Sequence, residues 1–271
     1  MTKAECYGRP LPGLTDSQFP GKLVVLEGTD GVGRSTQITL LRNWLQSSGL
    51  AVFDTGLSRS ALAGRDLQRA KEGHTMGRKT TVLYYATDFA DRLETEIVPA
   101  LRAGYVVLTD RYIYSLIARA VVRGADPEWV RKVYGFALKP SAIFYLRVGL
   151  NDLIPRVLAS SGFDYWESGA DNLRGADLYE CFVTYQAALL HQFEDMITEF
   201  HFTPIDASKS IRQVFRRLQA EVQNVVADML PASGEFTSFV GRFAPVAAKK
   251  AEPGEDVLQV LRELLDEQVD G

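Results

Sequence analysis

The chain has 271 residues, of which 46% are hydrophobic and 24% charged, and its formal net charge is −4. This composition fits a globular protein with one substantial core and a modest appendage, and it excludes fibrous and disordered classes and a global positive field that would hold nucleic acid nonspecifically. The opening MTKAECYGRP lacks the apolar core of a signal peptide and no later stretch is apolar for long enough to span a bilayer, so the expectation is a cytoplasmic protein with no membrane and no nucleic-acid partner. Cys6 and Cys181 are far apart and lack metal-ligand spacing, and they read as two free thiols.

A Pro/Gly-containing lead over residues 1–20 ends at Phe19-Pro20-Gly21. Lys22 to Glu27 (KLVVLE) is short, β-branched and apolar on consecutive positions, the pattern of a strand buried on both faces. The glycine-rich GTDGVGRST follows, then an amphipathic helix, QITLLRNWLQSSG, stopping at Gly49. Leu50 to Phe53 reads as a second strand and a polar loop with Arg59 and Arg65 comes next. Val82 to Arg102 predicts a long helix whose register Pro99 breaks near its end, and Gly104 precedes a third strand, YVVLT, with Asp110 and Arg111 at its carboxyl end. A helical stretch, a fourth strand (Ala142 to Val148), a polar segment around Gly162 to Gly175, another helix, a fifth strand (Thr203 to Asp206) and a helix after Ser208 complete the alternation. From Pro231 to about 254 the composition shifts to that of a linker, and residues 255–271 carry Val257, Leu258, Leu261, Leu264 and Leu265 on one face of a short amphipathic helix.

Strands alternating with helices predict an α/β three-layer fold over residues 21–230, a five-stranded parallel sheet with helices on both faces. Ligands of such sheets bind beyond the carboxyl ends of the strands. Gly28 to Thr36, Arg59 and Asp110 to Ser115 all fall at that edge.

Gly28-Thr29-Asp30-Gly31-Val32-Gly33-Arg34-Ser35 has the spacing of the phosphate loop G-x-x-x-x-G-K-[ST], with arginine in place of lysine, between a buried strand and a helix. Its backbone amides and helix N-terminus suit phosphates, Arg34 reaches the β- and γ-phosphates of ATP, Ser35 is placed to ligate Mg²⁺, and Thr36 completes the loop. A guanidinium keeps the charge but is planar and bulkier than an ammonium, so Arg34 is not a neutral exchange.

The loop EGTDGVGRSTQ, the run Asp110-Arg111-Tyr112 with Ser115, the segment ATDFADRLETEIVPALRAG and the closing IDASKSIRQV together resemble the thymidylate kinase family over about Gly21 to Val226. The resemblance implies a parallel five-stranded core with a mobile lid (about residues 160–176), Mg-ATP as donor, a deoxynucleoside monophosphate as acceptor and a homodimer. It implies that Asp30 touches the acceptor sugar hydroxyl, Arg111 holds the acceptor phosphate, Asp110 lies near metal and transferring group, and Tyr85 stacks on the acceptor base. Each has a structural alternative: Asp30 as a loop cap, Tyr85 as core, Asp110-Arg111 as an ion pair.

The sequence also departs from the family pattern. After the second strand, Arg59 is the best surviving phosphate ligand. The arginine usual in the long helix falls on Phe89, leaving Arg92 as a substitute. In the lid, Asp164-Tyr165-Trp166-Glu167 puts tyrosine where a catalytic arginine is usual, so Arg156 and Arg174, which flank the segment, are the candidates for that charge, and Trp166 is an acceptor-side candidate. The reading is an ATP:dTMP phosphotransferase or one acting on a related deoxynucleotide. Its alternatives are a kinase for a deoxynucleoside or another nucleotide, and a non-catalytic nucleotide-binding regulator on the same fold.

Overall fold

The computed structural model describes residues 2–14, 17–72, 76–160, 162–172 and 177–230. The expected linker (231–254) and terminal helix (255–271) lie outside the described residues. In chain order the elements are β1 (Thr2–Lys3), β2 (Gln18–Phe19), β3 (Lys22–Glu27), α1 (Arg34–Ser47), β4 (Val52–Gly56), α2 (Gly64–Glu72), α3 (Arg78–Arg92), a π-helical turn (Leu93–Ile97) and α4 (Val98–Arg102). There follow β5 (Val106–Asp110), α5 (Ile113–Val122), α6 (Pro127–Val133), β6 (Ala142–Arg147), α7 (Leu150–Ser160), α8 (Leu178–Phe200), β7 (Thr203–Asp206) and α9 (Ile211–Val226).

The strands β3 to β7 form one five-stranded parallel sheet in the order β4-β5-β3-β6-β7. Successive side chains of a strand point to opposite faces, and this splits the core in two. Val24, Leu26, Val106, Leu108, Phe144 and Leu146 pack with Leu41 and Leu45 of α1 and Leu218 and Val222 of α9. Leu23, Val25, Val107, Ile143 and Tyr145 pack with Phe89 of α3, Ile117 of α5 and Phe193 of α8. Among the described residues no helix is long and apolar enough to cross a membrane.

The first and fifth sheet strands have the bounds read from the sequence. The second lies two residues further on, at Val52–Gly56, and Asp110 is the last residue of β5 and not the residue after it. The long helix starts four residues earlier than expected, at Arg78, and its register changes through the π-turn that precedes Pro99. That extra residue per turn lets Pro99, which has no N–H to donate, enter at the start of α4 without breaking the chain direction.

Two helices were not legible. The segment Gly64–Glu72 reads as a polar loop because Leu67 is almost its sole apolar anchor, and Leu150–Ser160 is interrupted in sequence by Pro155. The N-terminal lead folds as well: β1 pairs antiparallel with β2, Lys139 N donates to Glu5 O at 2.7 Å, and the Tyr7 hydroxyl lies 2.6 Å from that of Tyr114.

Phe89 illustrates how the α3 face is committed to packing. Its ring is fully buried, with ring centroids 4.9 Å from Tyr112, 5.6 Å from Phe136 and 6.3 Å from Tyr134. Phe89→Ala should therefore cost about 3–5 kcal/mol of unfolding free energy, read from urea denaturation, through lost burial and the cavity left behind.

Candidate active site

The phosphate loop leaves the carboxyl end of β3, the central strand, and enters α1. Two of its glycines are required by geometry. A Cβ on Gly31 (φ +78°) would lie 2.6 Å from Val157 Cγ2 of α7, and Gly33 (φ +96°) has open space around it but a left-handed backbone at the N-cap of α1. The first turn of α1 carries no acidic side chain, so its free amides and dipole face the loop without competition from the helix's own residues.

Arg34 is folded into this loop. Its Nη1 donates to the carbonyl of Gly28 at 2.6 Å and to that of Thr29, its Nε donates to Asp110 Oδ1 at 2.7 Å, and its Nη2 lies 3.6 Å from Asp30 Oδ1. Asp110 accepts from Ser35 Oγ at 2.8 Å on its other oxygen. The end of β5 is thus tied to the start of α1 by one carboxylate taking a guanidinium and a hydroxyl.

Asp30 is the second convergence point. Arg111 Nη2 pairs with its Oδ1 and Arg119 Nη2 with its Oδ2. Burial and the neighbouring Arg119 charge push the Arg111 pKa down to about 9, opposed by Glu27 and Glu167, so it remains a cation at neutral pH. Its backbone is left-handed (φ +71°), held by Arg111 N donating to Leu26 O at 2.9 Å and by the next amide.

That next amide, Tyr112 N, donates to Glu27 Oε1 at 2.8 Å, and Ser115 N (3.2 Å) and Ser115 Oγ donate to the same carboxyl group. Glu27 is fully buried; desolvation raises its pKa, and the Ser115 hydroxyl, the Tyr112 amide and the charges of Arg34 and Arg111 offset part of that rise.

The turn after β4 is shaped from α3. Asp88, fully buried, accepts from Ser58 N and Ser60 N at 3.0 Å each and from Arg92 Nε at 3.2 Å. These bonds hold Ser58 in a left-handed conformation (φ +58°) and leave the next residue, Arg59, exposed toward the loop.

Two cavities open between these elements. The smaller, about 210 Å³, is polar and has Asp30, Arg34, Arg59, Asp110, Arg111 and Glu167 in its wall. The larger, about 310 Å³, is mostly apolar, with Val82, Ala120, Tyr134 and Trp166 among its lining. Tyr85, Leu116 and Arg119 border both. Trp166 is held there by the turn 163–172: Asp164 Oδ1 accepts from Trp166 N at 2.9 Å, and Arg123 Nη2 donates to Trp166 O at 2.8 Å while its Nε pairs with Asp171 Oδ2 at 2.8 Å. Arg123 also stacks over Tyr185 of α8, its guanidinium carbon 4.6 Å from the ring centroid, so it joins α5, α8 and this turn.

Of the residues picked out from the sequence, Asp30, Arg34, Arg59, Tyr85, Asp110 and Arg111 surround the smaller cavity, Ser35 bonds to Asp110, and Trp166 lines the larger one. Three others are not brought to it. Arg92 is 1% exposed and paired with buried Asp88 beside the β4 turn, and it is in the wall of neither cavity. Ser115 is buried against Glu27. Arg156 belongs to α7, not to the lid turn, and donates to the carbonyl of Ala207 at 2.8 Å after β7. Arg174 lies outside the described residues.

Glu27, Asp88, Arg119 and Arg123 are not among the residues the sequence points to, and Glu167 enters there only within the lid pattern. A helical signal existed for two of them, since Leu116, Arg119 and Arg123 recur at three and four residues and share one face of α5 and its end. The Asp88 role depends on a turn distant in sequence and leaves no local pattern.

A glycine-rich loop between the central strand of a parallel sheet and a helix, with a serine and an aspartate beside it, defines the P-loop class of nucleotide-binding folds. A family profile described as Thymidylate kinase matches residues 26–218. A probable thymidylate kinase 2 of Saccharolobus solfataricus is 33% identical over 215 residues, 79% of this chain and 99% of the relative. A probable thymidylate kinase of Thermococcus kodakarensis is 36% identical over 143 residues (49% and 70%), and a thymidylate kinase of Desulfotalea psychrophila is 33% identical over 147 residues (54% and 73%). The chain belongs to the thymidylate kinase family.

The buried carboxylate gives a direct check. Glu27→Ala strands the amides of Tyr112 and Ser115 and should cost about 2–4 kcal/mol, with Glu27→Gln costing less because it keeps one acceptor. Because the folded-state pKa of Glu27 is raised, its contribution to stability is fully present below the ordinary glutamate range and is lost as pH rises through the raised value. The stability of the native protein relative to Glu27→Gln, from urea midpoints across pH, should therefore fall as pH rises from about 4.5.

Proposed function

We propose that the protein is a nucleoside monophosphate kinase that moves the γ-phosphoryl group of ATP to dTMP, giving dTDP and ADP. The observation that carries this reading is a pair of neighbouring cavities, a polar, arginine-lined one against the phosphate loop and an apolar one, with Tyr85, Leu116 and Arg119 in the walls of both. A flat base suits the apolar cavity and an aromatic wall, and a phosphate suits the guanidinium-lined cavity. The family membership supports the same acceptor.

Donor phosphates lie along the loop amides and the N-terminus of α1, with Arg34 beside them. An oxygen of the acceptor phosphate attacks the γ-phosphorus in line, the new P–O bond forms as the bond to the β-phosphate oxygen breaks, and ADP leaves. Such transfer needs alignment and neutralisation of charge more than covalent help. Arg111 and Arg59 hold the acceptor phosphate, Arg34 offsets charge on the moving group, and the turn carrying Trp166 and Glu167 excludes water. Ser35 Oγ and Asp110 Oδ2, 2.8 Å apart at the loop mouth, are oxygen donors of the kind that would hold Mg²⁺. When bound, the ion supplies further neutralisation of phosphate charge. We place the reaction in the cytoplasm, a reducing compartment that suits the free thiols of Cys6 and Cys181. We also propose the homodimer that the resemblance implies, which light scattering would check.

A product assay with ATP and each of the nucleoside monophosphates tests the reading, and dTMP should be the preferred acceptor. Arg34→Ala should lower kcat by about 10²- to 10³-fold, as expected when one preorganised charge facing a transition state is removed. Arg34→Lys should stay within about ten-fold of native, since both cations reach the same oxygens. ATP binding with no product from any monophosphate, in native protein and in Arg34→Lys alike, would establish a non-catalytic binder.

A further inference from the structure

Arg119 borders both cavities, with Tyr85 and Leu116. In the binding mode proposed above, that boundary is where a nucleoside monophosphate would change from neutral base and sugar to anionic phosphate. Arg119 is 19% exposed, and its Nη2 meets Asp30 Oδ2 while Arg111 Nη2 meets Oδ1. Two guanidinium groups therefore flank a single carboxylate, one on each oxygen, with Arg34 Nη2 further off at 3.6 Å from Oδ1. A carboxylate and a phosphate present the same forked pair of oxygens to arginine, so groups held apart by one are spaced for the other.

Charge points the same way. Around the smaller cavity, Arg34, Arg59, Arg111 and Arg119 face Asp30, Asp110 and Glu167, which leaves the wall positive. The Nε of Arg111 is buried without a hydrogen-bond partner, so its donors are not saturated by Asp30. Helix α3 contributes Tyr85 to this wall and no cation, because Phe89 is in the aromatic core and Arg92 is paired with Asp88. The second guanidinium comes instead from α5.

We propose that Arg119 is an acceptor-contact residue: paired with Arg111, it binds the 5′-phosphate of the acceptor nucleotide, and Asp30 keeps the two guanidinium groups at phosphate spacing until the acceptor arrives. The proposal rests on the reading of the acceptor as a nucleoside monophosphate. Arg119 is thereby a determinant of selectivity for the monophosphate over the free nucleoside, which offers the same base and sugar but no anion.

Calorimetric titration of native protein, Arg119→Met and Arg119→Lys with dTMP, thymidine and ATP separates the possibilities. Arg119→Met keeps the length and apolar stem and removes the charge. Its Kd for dTMP should rise about 10- to 100-fold, the range for losing a charge-assisted hydrogen bond, while Kd for thymidine and for ATP stays within about three-fold. In steady state the KM for dTMP should rise more than kcat falls. Arg119→Lys should recover part of the dTMP loss and leave thymidine binding unchanged, and this variant alone decides the matter if Arg119→Met does not fold. Equal losses for dTMP and thymidine, or an unchanged Kd for dTMP, would overturn the phosphate contact. Failure of the kinase reading has a different signature, native binding of dTMP without product; native protein that binds no monophosphate overturns both.

Discussion

Everything at the cleft depends on how the end of β3 is joined to the start of α5. Glu27 closes β3 and turns its carboxylate into the protein, where Tyr112 N, Ser115 N and Ser115 Oγ surround it. Burying a carboxylate is costly unless its lone pairs are met by donors. Here the donors are the amide of Tyr112, two residues past β5, and the amide and hydroxyl of Ser115 in the first turn of α5, so meeting them fixes the left-handed bend at Arg111 and the start of α5 together. Move that joint, and Arg111 and Arg119 no longer meet at Asp30, nor does Asp110 meet Arg34 and Ser35. Sheet order makes the joint possible, since β3 and β5 are neighbours with Leu26 opposite Asp110.

The cleft is built in two layers of charge. Arg59 and Arg111, in the cleft wall, are positioned by two buried carboxylates, Asp88 and Glu27, that accept from backbone amides beside them. A carboxylate that accepts from amides fixes the course of the main chain, and the arginine on an adjacent residue then follows. Asp88 does this for Arg59 and Glu27 does it for Arg111. Arg92, buried beside Asp88, balances that charge and is held away from the cleft.

The parallel sheet was legible because its three central strands, β3, β5 and β6, are mostly continuous apolar runs, a pattern that a strand covered on both faces needs. The glycine spacing of 28–33 disclosed the phosphate loop for a comparable reason: the backbone there must adopt angles that other residues resist. Polar Gly64–Glu72 and proline-bearing Leu150–Ser160 were hidden, since tertiary contacts hold them against their local preferences. Within the site, residues tied to the loop or to a strand end could be named from sequence. Arg92 and Ser115 could not be placed, because an arginine on a helix gives no sign of whether it faces a cleft or a buried aspartate, and a serine gives none of whether its hydroxyl serves a ligand or a carboxylate at the strand end. Arg119 shows the converse: its importance comes from meeting Asp30 across 89 residues of chain.

The N-terminal lead has a consequence for how the chain reaches this state. Tyr7 packs edge-on against Tyr114 and Phe200, with ring centroids 6.2 and 5.3 Å apart, and Lys139 N bonds to Glu5 O. Its partners are thus spread over most of the described chain. Loops that long close slowly, and contacts between distant segments are formed late in folding. During synthesis, which proceeds from the amino end, Tyr114 and residues 135–139 become available to the lead before Phe200, at the end of α8, does. The lead therefore clasps segments made at different times, and its contact with Phe200 is the last of these to become possible.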